Sequence, residues 1–177
     1  MTLVELNREK KDGAFRFDEE CIHHYLPSYD KLFAPFRDKE INLFELGYYK
    51  GGSSRLWEKY FPKATIKCID IDPACPPPTS DRITLELIDV RRITTDYFLN
   101  FRPDIAIDDG SHAVKDQIHF VKIVYPILKK GGLLIIEDIQ NIESAMIDFN
   151  SLDIPFDVID LRKDFGRYDD VLIVFRK

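Results

Sequence analysis

From Ile41 onward, apolar runs alternate with amphipathic ones, and that alternation restricts the chain to strands joined by crossover helices in a mostly parallel sheet. INLFEL (Ile41–Leu46) reads as a first strand, SSRLWEKYF (Ser53–Phe61) as a serine-capped helix and TIKCIDID (Thr65–Asp72) as a second strand. ITLELIDV (Ile83–Val90) is the third strand, after the stiff proline loop CPPPTS, and DIAIDD (Asp104–Asp109) is the fourth. A helix is expected over Val114–Lys129, where Ile118, Val121, Val124 and Leu128 recur at helical spacing, ending at Gly131-Gly132 before the fifth strand, LLIIED (Leu133–Asp138). FDVIDL and DVLIVFRK, joined by RKDFGRYD, read as an antiparallel pair. Ahead of the first strand, Asp18–Phe36 is expected to be helical and broken at Pro27.

With 177 residues and no Pro/Gly/Ser linker, the chain reads as one domain, 1–177, comprising a helical amino-terminal lid segment (1–40) and a core (41–177). A net charge of −6 disfavours nucleic acid as a partner, and the short run Arg8–Lys11 reads as a solvated start. No apolar run approaches the roughly 20 residues of a membrane span. MTLVELNREKKDG lacks the apolar centre of a signal peptide, so a cytoplasmic location is expected. Cys21, Cys68 and Cys75 are odd in number and irregularly spaced, which argues for reduced thiols over a disulfide framework or a zinc site.

The first strand opens into ELGYYKGGSS (Glu45–Ser54), a glycine loop leading to a helix amino terminus, where backbone amides can approach a ligand closely. The dinucleotide fingerprint G-x-G-x-x-G would need glycine where Tyr49 stands, so a nicotinamide cofactor is disfavoured, and without G-K-[ST] this is no P-loop. What remains is Glu45, Gly47, Gly51 and Gly52, then Ser53, followed by an acid at the next strand's end. Asp70 is placed there to accept from ribose hydroxyls, Asp72 competes with it, and Asp89 closes the third strand where an adenine amino group would lie. These describe a site for a nucleoside without phosphates, of which S-adenosylmethionine is the common one. A structural turn with solvated acids is the alternative.

IDDGSH (Ile107–His112) ends the fourth strand and IIED the fifth, so Asp109, Glu137 and Asp138 project from neighbouring strand ends. Hard oxygen ligands of this kind suit magnesium, whereas taken singly Asp-Gly is a turn and Glu-Asp a helix cap. Asp108 is a structural or cofactor-side acid, and His112 is either a surface histidine or a general base. Tyr25 and Tyr29, flanking Pro27, are either core residues or a lid over the cofactor.

The combination FELGYYKGGSSRLWEKYFPKATIKCIDID, IDDGSH and LLIIEDIQ resembles class I methyltransferases, specifically the metal-dependent macrolide-sugar O-methyltransferases of the mycinamicin and macrocin type, and the cephalosporin-hydroxylase-type proteins related to them. HHYLPSYDKLFAPFRD (His23–Asp38) is similar to the segment before their first strand, and the resemblance runs from about Cys21 to the carboxyl terminus. It implies a Rossmann-like seven-stranded methyltransferase sheet, mostly parallel with an antiparallel last strand and helices on both faces. It also implies S-adenosylmethionine lined by Gly47, Gly51, Gly52, Asp70 and Asp89, Mg2+ on Asp109, Glu137 and Asp138, and His112 as catalytic base. Two departures stand out: only about 40 residues precede the first strand, and IQNIESAM (Ile139–Met146) follows where those enzymes place aromatic residues. The function expected is methyl transfer to a hydroxyl of a sugar or similar vicinal diol, on a natural product or a glycan, with no nucleic-acid or membrane partner and with homo-oligomerisation allowed. A non-catalytic S-adenosylmethionine-binding partner or regulatory protein is the alternative.

Overall fold

The computed structural model describes residues 1–8 and 24–177. Residues 9–11 of the short charged run, Cys21, His23 and the first part of the helix expected from Asp18 lie outside the described residues. Among the described residues, seven strands form one sheet: β1 (Ile41–Leu46), β2 (Ala64–Asp70), β3 (Ile83–Leu87), β4 (Ile105–Asp108), β5 (Leu133–Ile136), β6 (Phe156–Asp160) and β7 (Val171–Arg176). Their order is β3-β2-β1-β4-β5-β7-β6. Only β7 runs against the others, pairing antiparallel with both β5 and β6.

β4, β5 and β7 read as near-continuous apolar runs because both of their faces are covered. Leu43, Ile105, Ile107, Ile135 and Val174 point to one face, where they meet Leu56, Trp57 and Tyr60 of α3 (Gly52–Tyr60) and Tyr29 and Phe33 of α2 (Leu26–Phe33). Phe44, Ala106, Ile136 and Phe175 point to the other, against Phe120, Val121 and Val124 of α4 (Val114–Val124) and Phe149 of α5 (Ile142–Asn150). Each fully buried large apolar side chain contributes about 1.5–3 kcal/mol, so the two layers fix which way each strand faces.

The segment expected as a lid belongs to the first layer over its described part. α1 (Leu3–Arg8) opens with a reciprocal cap, in which Glu5 N–H donates to Thr2 Oγ1 at 3.1 Å and Thr2 N–H to Glu5 Oε2 at 2.8 Å. Leu3 N–H donates to Asp30 of α2 at 2.9 Å, tying the two helices together.

Several boundaries differ from expectation, each for a local reason. Pro27 lies in the first turn of α2, where a residue needs no amide donor. α3 begins at Gly52, capped by Gly51 in a left-handed conformation (φ 68) and not by a serine side chain, because Ser54 spends its hydroxyl on Glu45. α4 stops at Val124, and Pro126 sits in the 3₁₀ turn Tyr125–Ile127 that ends the run short of Lys129. β3 stops at Leu87, and Asp89 caps a 3₁₀ turn, Val90–Arg92, by accepting from Arg91 N–H. The short α6 (Arg162–Phe165) lies in the connection between β6 and β7.

Candidate active site

β1 is flanked by β2 on one side and β4 on the other, so the direction of strand succession reverses between β1 and β4. In open α/β sheets that reversal leaves a crevice at the carboxyl edge where ligands bind. The loops after β1 and β4 meet there. Gly47 (φ 96) lies so close to the Asp109 carbonyl that any Cβ would overlap it, and Asp109 N–H donates to Leu46 O at 2.8 Å.

Beneath the glycine loop, Glu45 is only 1% exposed, accepting from Ser54 Oγ at 2.7 Å and Trp57 Nε1 at 2.8 Å. Burial pushes its carboxyl above the ordinary range despite those donors. Its two oxygens face α3, so the structure places it under the loop as an anchor. Asp70 accepts from the amides of Tyr48 and Tyr49 at 2.8 Å each on Oδ2 and from Asp72 at 2.9 Å on Oδ1. Burial opposes its ionisation, yet these amides prevail and hold the carboxyl below the ordinary range. Asp72 is exposed and accepts from Ala74 N–H at 2.8 Å. Asp89 is engaged by Arg91 through Nε at 2.9 Å and Nη2 at 2.6 Å, and the guanidinium holds it down at about 2. Gly51 and Gly52 stand at the start of α3, with Ser53 in its first turn.

On the β4 and β5 side, ligand atoms of Asp109, His112 and Asp138 all lie within 4.8 Å of one another. His112 Nε2 is 3.7 Å from Asp138 Oδ2, and its Nδ1 is buried without a hydrogen-bond partner. His112 and Asp138 both sit at φ 55, a region that side chains other than glycine's seldom adopt. The positive φ at Asp138 breaks the alternation of a strand, so that consecutive acids reach one side. Glu137 stands outside the three-residue group: Tyr29 Oη donates to its Oε1, and Gln117 Nε2 donates to its backbone carbonyl at 3.0 Å. Burial, then the neighbouring acids Asp109 and Asp138, push the Glu137 carboxyl well up, and burial followed by Asp138 does the same to Asp109. Asp108 is 2% exposed, accepts from Gly110 N–H at 3.2 Å on Oδ1 and is pushed up to about 7 by burial.

Tyr25 and Tyr29 are buried at the acids' side, where Tyr25 Oη donates to Asp138 Oδ1 at 2.8 Å. The spacing Y-x-x-x-Y across the start of α2 puts both phenols on one side, which sequence alone could indicate, but not which acids they reach. A contact that sequence reasoning missed altogether is His24, whose Nδ1 lies 2.9 Å from Asp170 Oδ2 and whose ring stacks on Phe165 at 3.8 Å.

No protein-family model matches the chain. It is 32% identical over 133 residues to 8-demethyl-8-alpha-L-rhamnosyl tetracenomycin-C 2'-O-methyltransferase of Streptomyces olivaceus, covering 70% of this chain and 35% of that protein. Identity to mycinamicin VI 2''-O-methyltransferase of Micromonospora griseorubida is 31% over 134 residues, 66% of this chain and 32% of that one. The solved structure of MycE methyltransferase from the mycinamycin biosynthetic pathway, in complex with Mg and SAH, superimposes with a TM-score of 0.70 at 22% identity, over all of this chain and 55% of that one. The chain has the class I methyltransferase fold, and its homologues are sugar O-methyltransferases. It spans about a third of the length of the curated methyltransferases it matches. On this methyltransferase fold the glycine loop of β1 and the acids of β4 and β5 face one another across the switch point. No helix among the described residues is long and apolar enough to cross a membrane.

Proposed function

We propose that the chain is the S-adenosylmethionine-dependent domain of an O-methyltransferase acting on a hydroxyl of a sugar or similar vicinal diol, aided by a divalent cation such as Mg2+, with residues 41–177 as its Rossmann-like core. One observation carries this reading: Asp109, His112 and Asp138 gather within 4.8 Å at the switch point, across from a glycine loop that leaves no room for a side chain at Gly47. The names of the homologues, sugar O-methyltransferases, support the acceptor class.

S-adenosylmethionine brings its own activated methyl on a sulfonium, so no acid is needed for the leaving group and the chain's task is to aim and deprotonate a weak oxygen nucleophile. Gly47, Gly51 and Gly52 would admit the nucleoside. Asp70 tethers the loop with both oxygens engaged, so ribose hydroxyls would meet its remaining acceptor capacity on Oδ1 together with the exposed Asp72. The donor set fits a hard cation: Asp109 and Asp138 offer carboxylate oxygens, with Glu137 beside them, and their mutual repulsion would be relieved by positive charge. Such an ion supplies charge that acidifies a nearby hydroxyl and favours a diol over a lone alcohol. Imidazole is a poor ligand for magnesium, so His112 is assigned the base, taking the proton that the acceptor hydroxyl loses as it is methylated.

Calorimetry with S-adenosylhomocysteine and with NAD tests the cofactor assignment. Heat with the adenosyl ligand and none with NAD is expected, since Tyr49 occupies the position of the pyrophosphate glycine. The reverse result would overturn the reading.

A further inference from the structure

Glu137 and Asp138 are adjacent in sequence, and each receives a phenol from the same helix start. Tyr25 caps α2 and Tyr29 lies one turn on, at i and i+4, with rings 3% and 2% exposed. Tyr29 Oη donates to Glu137 Oε1, while its ring is wedged between Phe33 at 4.7 Å and Trp57 at 5.3 Å, so the hydroxyl has little freedom to turn elsewhere. Tyr25 is placed differently. Its single hydroxyl proton faces two acceptors, Asp138 Oδ1 at 2.8 Å and the Asp169 carbonyl at 3.0 Å, and Asp138 N–H approaches its oxygen at 3.4 Å.

From this geometry, and resting on the cation site proposed above, we infer that Tyr25 and Tyr29 are positioning residues for the acid cluster. Tyr29 holds one oxygen of Glu137 and so fixes the rotation of that carboxylate beside Asp109 and Asp138. Tyr25 holds Asp138 Oδ1 and so leaves the other oxygen, Oδ2, turned toward His112 at 3.7 Å. With the Asp169 carbonyl as a second acceptor at 3.0 Å, the buried Tyr25 hydroxyl stays paired. A second contact supports the arrangement: Arg167 Nε lies 2.7 Å from Asp169 Oδ1, fixing the residue whose carbonyl is the alternative acceptor. Through Tyr25 and Tyr29 the start of α2 thus reaches the acids.

The test is Mn2+ binding to the protein, followed by electron paramagnetic resonance, in the wild type, Asp109→Asn, Tyr29→Phe and Tyr25→Phe. Each phenylalanine keeps the ring packing and deletes only the donor. Outer-shell partners of metal ligands typically contribute about 10–100-fold to affinity, so Tyr29→Phe is expected to weaken Mn2+ binding by that order while melting temperature and S-adenosylhomocysteine affinity stay near wild type. Tyr25→Phe is expected to act in the same direction, and it carries the test if Tyr29→Phe does not fold. Wild-type binding lost in Asp109→Asn, with both tyrosine variants within about twofold of wild type, would overturn the positioning role and leave the cation site standing. A wild type that binds no Mn2+ would overturn both.

Discussion

A carboxyl group buried away from water is favoured in its neutral form, and burial pushes Glu45 that way even though Ser54 and Trp57 donate to it. Its folded-state pKa lies above the unfolded one, so the folded protein keeps a proton that the unfolded chain has already released. The contribution of Glu45 to stability therefore falls as pH rises from the ordinary glutamate range up through the raised value. Glu45→Gln removes that slope and can still accept from Trp57 Nε1. Urea midpoints at pH 5 and pH 8 should show the variant gaining on wild type as pH rises; a difference independent of pH would mean that Glu45 is ionised in the folded state. Residue types at strand ends were legible in the sequence, but their partners were not. Asp70 read as an acceptor for a ligand, and it also accepts from the amides of Tyr48 and Tyr49; Asp89 read the same way, and it also pairs with Arg91 two residues on. Arg91 is a local partner, whereas Tyr48 and Tyr49 lie 22 and 21 residues from Asp70, and which acceptor a donor chooses depends on backbone angles and strand pairing that residue types do not specify.

At the level of elements, the turns after β1 and before β5 make different demands on their glycines. Gly47 combines a positive φ with a carbonyl in the place of its Cβ, whereas Gly131 has a positive φ (80) and open space around it. Gly47→Ala should therefore cost more than about 3 kcal/mol or prevent folding, since the neighbour is backbone and cannot swing aside. Gly131→Ala should cost about 1 kcal/mol, the conformational term alone. Urea unfolding of the two variants checks the ranking, and equal costs would contradict the close approach of the β1 and β4 loops. The identities of β4, β5 and β7 followed from apolar runs too uniform for a half-exposed sheet. Helix ends were harder to read, because Pro27 and Pro126 are compatible with opening a helix, breaking one or lying in a 3₁₀ turn, and packing decides among them.

On the scale of the whole molecule, the sheet order brings together what lies far apart in sequence. The glycine loop of β1, the Asp109 turn after β4 and the Glu137-Asp138 end of β5 share one edge because β1, β4 and β5 are neighbours running the same way. Parallel order was inferable from the alternation of strands and helices; the docking of α2 against the acids was not, since Tyr25 and Tyr29 are equally suited to a core or to a surface lid. The reaction proposed for this edge is transfer of a methyl group to a hydroxyl with the help of a divalent cation. The most direct test is transfer of labelled methyl from S-adenosylmethionine to a panel of glycosides bearing vicinal diols, measured as purified, after exhaustive chelation, and after Mg2+ is restored. A methyl ether that disappears on chelation and returns with Mg2+ is expected. Transfer undiminished by chelation, or bound S-adenosylhomocysteine with no hydroxyl methylated across the panel, would contradict it.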